Sequence, residues 1–135
     1  MRQAPVFLTM DDVFHHHEQA LLRHGGKIGA AGLNLVESAL HAPTNRFLYE
    51  GEAWSDREGV AQLAATYWVH LALAHGFADG NKRVGFACFL DFLHRNGYDV
   101  AFDDREATRV GLAIAARTIT RDEVARCLYP HLIPA

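Results

Sequence analysis

Apolar positions along the chain fall into segments of helical period separated by polar or glycine-rich breaks. Thr9 and Asp12 have the spacing of a helix start, and Val13, Ala20 and Leu21 carry an apolar stripe to Gly25-Gly26, where a helix stops. The pattern predicts a first helix over about residues 10 to 24. After GGKIGAAG, the stretch LNLVESAL places Leu33, Val36, Ala39 and Leu40 on one face. That predicts a short second helix ending before Pro43, since the residue ahead of a proline is pushed out of helical conformation. Residues 43 to 55, PTNRFLYEGEAWS, show no helical period and read as a loop or small hairpin flap. Its aromatics Phe47, Tyr49 and Trp54 are either caps on the core or a docking edge for a protein.

Ser55 and Glu58 form a capping-box pattern, and the positions that follow, from Val60 through Leu63, Tyr67 and Leu71 to Ala74, are apolar almost all round. This is the profile of a buried central helix. A polar break at His75 interrupts it, and a second strongly apolar helix resumes near Asn81 and runs to Asn96-Gly97. Asp103 or Asp104 caps a further helix through Arg117, and Thr120 with Glu123 makes another capping box ahead of ARCLYPHL. No repeat, linker or long alternating strand interrupts the pattern, so the expected architecture is an all-α, compact helical bundle. A length of 135 residues fits one core, hence a single domain over 1–135.

Composition narrows the class. Half of the residues are apolar and 21% are charged, the balance of a folded soluble protein. A net charge of -3 gives no electrostatic footprint for direct nucleic-acid binding. No run reaches the roughly 18 uninterrupted apolar residues of a membrane span, and MRQAPVFLTMDD lacks the features of a signal peptide, so a cytoplasmic location is expected. Cys88 and Cys127 lie far apart in apolar helical patterns and read as small buried hydrophobes.

The chemistry concentrates in HGFADGNKR. His75, Asp79, Asn81, Lys82 and Arg83 fall between two helices too apolar to carry a polar cluster for stability alone, and such a local conflict marks a functional site. With a helix starting near Asn81, residues Gly80 to Arg83 occupy a first turn whose backbone N–H groups have no intrahelical partner. The helix dipole adds partial positive charge there and Gly80 allows close approach, so the turn suits phosphate oxygens. Lys82 and Arg83 are unfavourable at that end of a helix unless a polyanion is bound. Asp79 either caps the helix or holds a hard Mg²⁺ that bridges phosphates. His75 belongs to the side-chain type that exchanges protons near neutral pH and is suited to take one from an attacking hydroxyl. Phe77, apolar among polar neighbours, reads as the anchor that packs the loop onto the core. The spacing is not that of a Walker loop, since Gly76, Gly80 and Lys82 do not make GxxxxGK[ST]. His15, His16 and His17 invite a metal reading, but consecutive helical positions point about 100° apart and do not converge on one ion.

HGFADGNKR resembles the Fic motif, and more closely its lysine-containing form in the death-on-curing (Doc) toxins of the Fic superfamily. RHGGKIG, LVESAL and FLDFLHRNGY also resemble Doc-type segments, in the expected order. The resemblance implies an all-helical Fic fold whose motif joins two central helices, with ATP and Mg²⁺ held in the loop. It implies His75 as general base, Asp79 as the Mg²⁺ contact, Gly80, Asn81, Lys82 and Arg83 as phosphate contacts, and Phe77 as the buried anchor. Adenylyl-transferring relatives usually carry glycine in place of Lys82 and often a second arginine in place of Phe86. A lysine there crowds the α- and β-phosphates, and Doc toxins that share it are expected to present the γ-phosphate to the histidine. The implied activity is therefore transfer of the γ-phosphate to a hydroxyl of a protein, with AMP transfer as the alternative and a catalytically silent binding module as a third reading. The implied target type is a threonine of translation elongation factor Tu, with arrest of translation as the consequence. Two positions depart from the pattern: Gly76 replaces the common motif proline, and Gly32 stands where many relatives have aspartate. Self-inhibiting relatives carry Ser/Thr-xxx-Glu, whereas Ser55 to Glu58 and Thr120 to Glu123 are each one residue short, so control is expected from a separate Phd-like antitoxin whose helical tail packs on the toxin.

Overall fold

The computed structural model describes residues 4–50 and 56–135. Its elements are α1 (Met10–His24), α2 (Leu33–Glu50), α3 (Arg57–Ala74), α4 (Asn81–Arg95), β1 (Tyr98–Val100), α5 (Asp104–Ala115), α6 (Arg121–Leu128), a 3₁₀ turn (Tyr129–His131) and β2 (Leu132–Pro134). The fold is all-α apart from the short antiparallel β1–β2 pair, in which Asp99 faces Ile133. No helix is long and apolar enough to cross a membrane among the described residues.

Helix starts follow local chemistry. Thr9 and Asp12 make a capping box at α1, and Thr120 and Glu123 make one at α6. Asp103 caps α5 through the Glu106 amide. At α3 the cap is Asp56, whose carboxylate accepts from the Gly59 amide at 2.8 Å; the expected cap Ser55 lies outside the described residues, as does Trp54.

The second helix corrects the sequence reading. α2 does not end before Pro43 but runs through it to Glu50, so residues 43 to 50 are helical and not a flap. Val36, Ala39, Leu40 and Pro43 are buried at helical spacing, and Phe47 continues the stripe by packing edge-on to Phe7 at 5.7 Å. A proline inside a helix costs about 3 kcal/mol. Beyond Pro43 that cost is offset by Phe47 at the core margin, where full burial of such a side chain is worth roughly 1.5–3 kcal/mol, together with Arg46, which donates to Thr66 at 2.9 Å and to Asp122 at 3.2 Å. Tyr49 is exposed, while Phe47 belongs to the core margin.

α3 is buried around most of its circumference and forms the centre of the bundle, packed between α2, α4 and α6. Tyr67, Phe89 and Phe92 are fully buried, and the Trp68 and Phe89 rings stack at 4.8 Å. α3 and α4 approach so closely at Gly85 that a β-carbon there would sit 2.9 Å from the Trp68 carbonyl oxygen and the Ala72 nitrogen. That contact fixes the two helices whose ends the motif segment joins. Cys88 is buried and burial pushes its thiol upward, while Cys127 is half-buried; neither is in a disulfide.

Candidate functional site

The segment between α3 and α4 begins with an abrupt stop. His75 ends α3 in the left-handed region, at φ 54° and ψ 30°, a conformation that histidine tolerates better than most residues. Its imidazole is exposed. The chain then dives inward: Gly76 and Phe77 are buried, and the Gly32 amide donates to the Gly76 carbonyl at 3.0 Å. A β-carbon on Gly76 would meet Val36 Cγ2 at 2.3 Å and the Gly32 carbonyl oxygen at 2.5 Å. Only glycine fits this crossing.

Phe77 is buried, with its ring stacked on His17 at 3.8 Å and edge-on to Phe14 at 6.5 Å. Beyond it the Ala78 amide donates to the Gly29 carbonyl at 2.9 Å, which ties the loop to the segment ahead of α2 a second time. Asp79 exposes its carboxylate near the Lys27 amide, 3.4 Å away, and its carbonyl faces His17 Nε2 at 3.0 Å. The expected capping role falls elsewhere: the N-cap of α4 is Gly80, at φ 85°, and no side chain caps this helix. The N–H groups of its first turn therefore have no intrahelical or capping partner, unlike those of α1, α3, α5 and α6.

Asn81 behaves differently from its neighbours. Its Oδ1 accepts from the Phe77 amide at 3.1 Å and its Nδ2 donates to the Phe77 carbonyl at 3.0 Å. The side chain clasps the loop, which leaves the Asn81 backbone amide as the group free to face a ligand. Lys82 and Arg83 are exposed and make no hydrogen bond or ion pair among the described residues. They help to line an open groove of about 1040 Å³ between α1, α4 and α5, together with Trp68, Phe86, Leu90 and Leu112.

Residues 7–93 match the Fic/DOC family. The chain belongs to the Fic/DOC family. It is also similar to Protein kinase doc of Escherichia phage P1, with 29% identity over 121 residues that span 90% of this chain and 91% of that protein. In this Fic/DOC chain the motif thus supplies an exposed imidazole, an exposed carboxylate, an uncapped helix start and two free cations within nine residues. The three consecutive histidines part ways: His15 is exposed, His16 Nε2 pairs with Asp91 at 2.7 Å, and His17 turns onto the motif loop. Sequence reasoning gave His17 no role in the site. Its spacing of four from the buried Val13 is the signal that places it on the inward face of α1.

Asp79 offers a single carboxylate, and no group of three or more His, Cys, Asp or Glu side chains converges among the described residues. That suits Mg²⁺, which binds through one or two carboxylates with substrate phosphates and water rather than in an all-protein cage.

Proposed function

We propose that the chain is a Doc-like toxin that transfers the γ-phosphate of ATP to a hydroxyl of a protein, with elongation factor Tu as the target and a Phd-like antitoxin as the partner. The observation that carries this reading is the first turn of α4, an uncapped helix start bearing two cations that have no partner among the described residues. Cationic side chains at the positive end of a helix dipole cost stability, and a bound polyphosphate repays it. The phage P1 relative bears the name protein kinase, and the lysine at position 82 favours the same reaction over AMP transfer.

Phosphoryl transfer asks little of a protein beyond positioning and neutralisation of charge. The amides of Gly80 to Arg83 and the side chains of Lys82 and Arg83 would hold the phosphate oxygens. His75 would accept the proton of the attacking hydroxyl as the new oxygen–phosphorus bond forms at the γ-phosphorus and the bond to the bridging oxygen breaks, releasing ADP. Asp79 would hold Mg²⁺, which supplies further neutralisation of the phosphates. The open groove that Lys82 and Arg83 help to line is a concave apolar surface suited to the helical tail of the antitoxin.

Incubation with cell extract, Mg²⁺ and ATP labelled at either the α- or the γ-phosphate tests the reading. The γ label alone should reach protein. Transfer of the α label would replace the proposal with AMP transfer, and binding of ATP with no labelled protein from either would leave a silent binding module.

A further inference from the structure

We infer that His17 is a positioning residue of the anion-binding turn, acting through the Asp79 carbonyl; the inference rests on the phosphotransfer reading. His17 Nε2 lies 3.0 Å from the Asp79 carbonyl oxygen. A carbonyl oxygen can only accept, so Nε2 carries the proton and donates. Asp79 C=O belongs to the same peptide unit as Gly80 N–H, and in a planar trans peptide the two point in opposite directions. Holding the carbonyl toward α1 therefore aims the Gly80 amide away from α1.

Four further features make the hold stiff. The His17 ring stacks on Phe77 with an interplanar angle of 13°, so the imidazole has little freedom to swing. His17 Cδ2 lies 3.5 Å from where a Gly80 β-carbon would be, so the same ring walls the inner side of the turn. The Asn81 clasp and the Ala78–Gly29 bond fix the loop on either side of the Asp79 peptide. A leucine or phenylalanine at position 17 would satisfy the packing on Phe77 equally well. The Nε2 donor is what histidine adds, and its partner is the peptide that orients Gly80.

Two substitutions separate the donor from the ring. His17→Phe keeps an aromatic ring on Phe77 and loses the donor; His17→Gln keeps an N–H donor at comparable reach and loses the ring. Titration calorimetry with ATP and Mg²⁺ should show His17→Phe binding about 10-fold or more weakly, as loss of a supporting partner does at metal sites, and His17→Gln within a few-fold of wild type. In the nucleotide-free protein, the Gly80 amide should shift and exchange faster in His17→Phe than in His17→Gln. Thermal melting of both variants shows whether lost binding merely follows lost folding. Wild-type binding and an unmoved Gly80 amide in His17→Phe, or equal loss in both variants, overturns the inference. If wild type transfers no γ label, the functional reading fails, and the Gly80 amide in the nucleotide-free variants still decides the role of His17.

Discussion

The Gly32 amide and the Gly76 carbonyl meet at 3.0 Å, and each residue leaves the space that the other requires. These are the two positions at which the sequence departs from the motif pattern it resembles, and in the fold they touch each other. A side chain on Gly76 would collide with the Gly32 carbonyl and Val36, while a β-carbon on Gly32 would come within 3.0 Å of the Gly76 α-carbon. Restoring the motif proline alone should therefore harm this protein. Gly76→Pro and Gly76→Ala are expected to lose about 1–3 kcal/mol, the usual cost of overpacking, with Gly32→Ala losing less. Urea denaturation of the three variants checks the order, and an unchanged midpoint in Gly76→Ala would refute the tight crossing.

Asn81 holds both polar groups of the Phe77 backbone. Asn81→Leu leaves that buried amide and carbonyl without partners, at about 1–3 kcal/mol for each unsatisfied group. Asn81→Asp keeps the acceptor for the Phe77 amide but places a carboxylate beside the anion-binding turn. The leucine variant should melt well below wild type, whereas the aspartate variant should retain more stability and lose more ATP affinity. Melting curves paired with calorimetry distinguish the two effects.

Lys82 and Arg83 are expected to oppose folding slightly and to support binding. Replacing either with alanine removes a cation from the positive end of α4, where such a charge costs about 0.3–1 kcal/mol. Melting temperatures should hold or rise while ATP affinity falls. His75 gives a parallel case, because its left-handed backbone is one that glycine adopts freely. His75→Gly should fold as well as wild type, with γ-phosphate transfer abolished and growth arrest on expression lost. Arrest that survives this substitution would separate toxicity from catalysis.

Acid should weaken the junction between α1 and α4. Burial acts to raise the Asp91 carboxyl, but hydrogen bonds from Arg95 and His16 outweigh it and hold the group below the ordinary carboxylate range. Asp12 is likewise raised by burial and lowered further by Thr9 and Arg95, for a net depression. Carboxylates depressed in the folded state contribute stability above the unfolded value, near about pH 4, and lose it as pH falls through the folded values. Denaturant midpoints should drop over that acid range, and Arg95→Met should flatten the drop while lowering the midpoint at neutral pH, since Arg95 bridges Asp91 and Asp12 at 2.8 Å each.

Local chemistry made much of the fold legible. The Thr9 and Thr120 capping boxes, the Asp103 cap and the all-round burial of α3 each follow from residues a few positions apart, whereas the absence of a side-chain cap at Gly80 does not. Pro43 was misleading because the rule it obeys is local, whereas the burial that overrides it depends on an apolar stripe packed against α3. The site divides in the same way. The cations, the imidazole and the anchor are contiguous in HGFADGNKR, but the parts that hold them come from elsewhere in the chain.

Caps, periodicity and dipole effects act over one or two turns, so the residues alone mark most helix starts, the central helix and the nine residues that carry charge into an apolar setting. That His17 faces the Asp79 carbonyl, that Gly32 and Gly76 cross, and that the Asn81 side chain faces inward became visible in the folded chain alone. The first two link residues that are distant along the chain, and all three follow from packing, which no local pattern encodes.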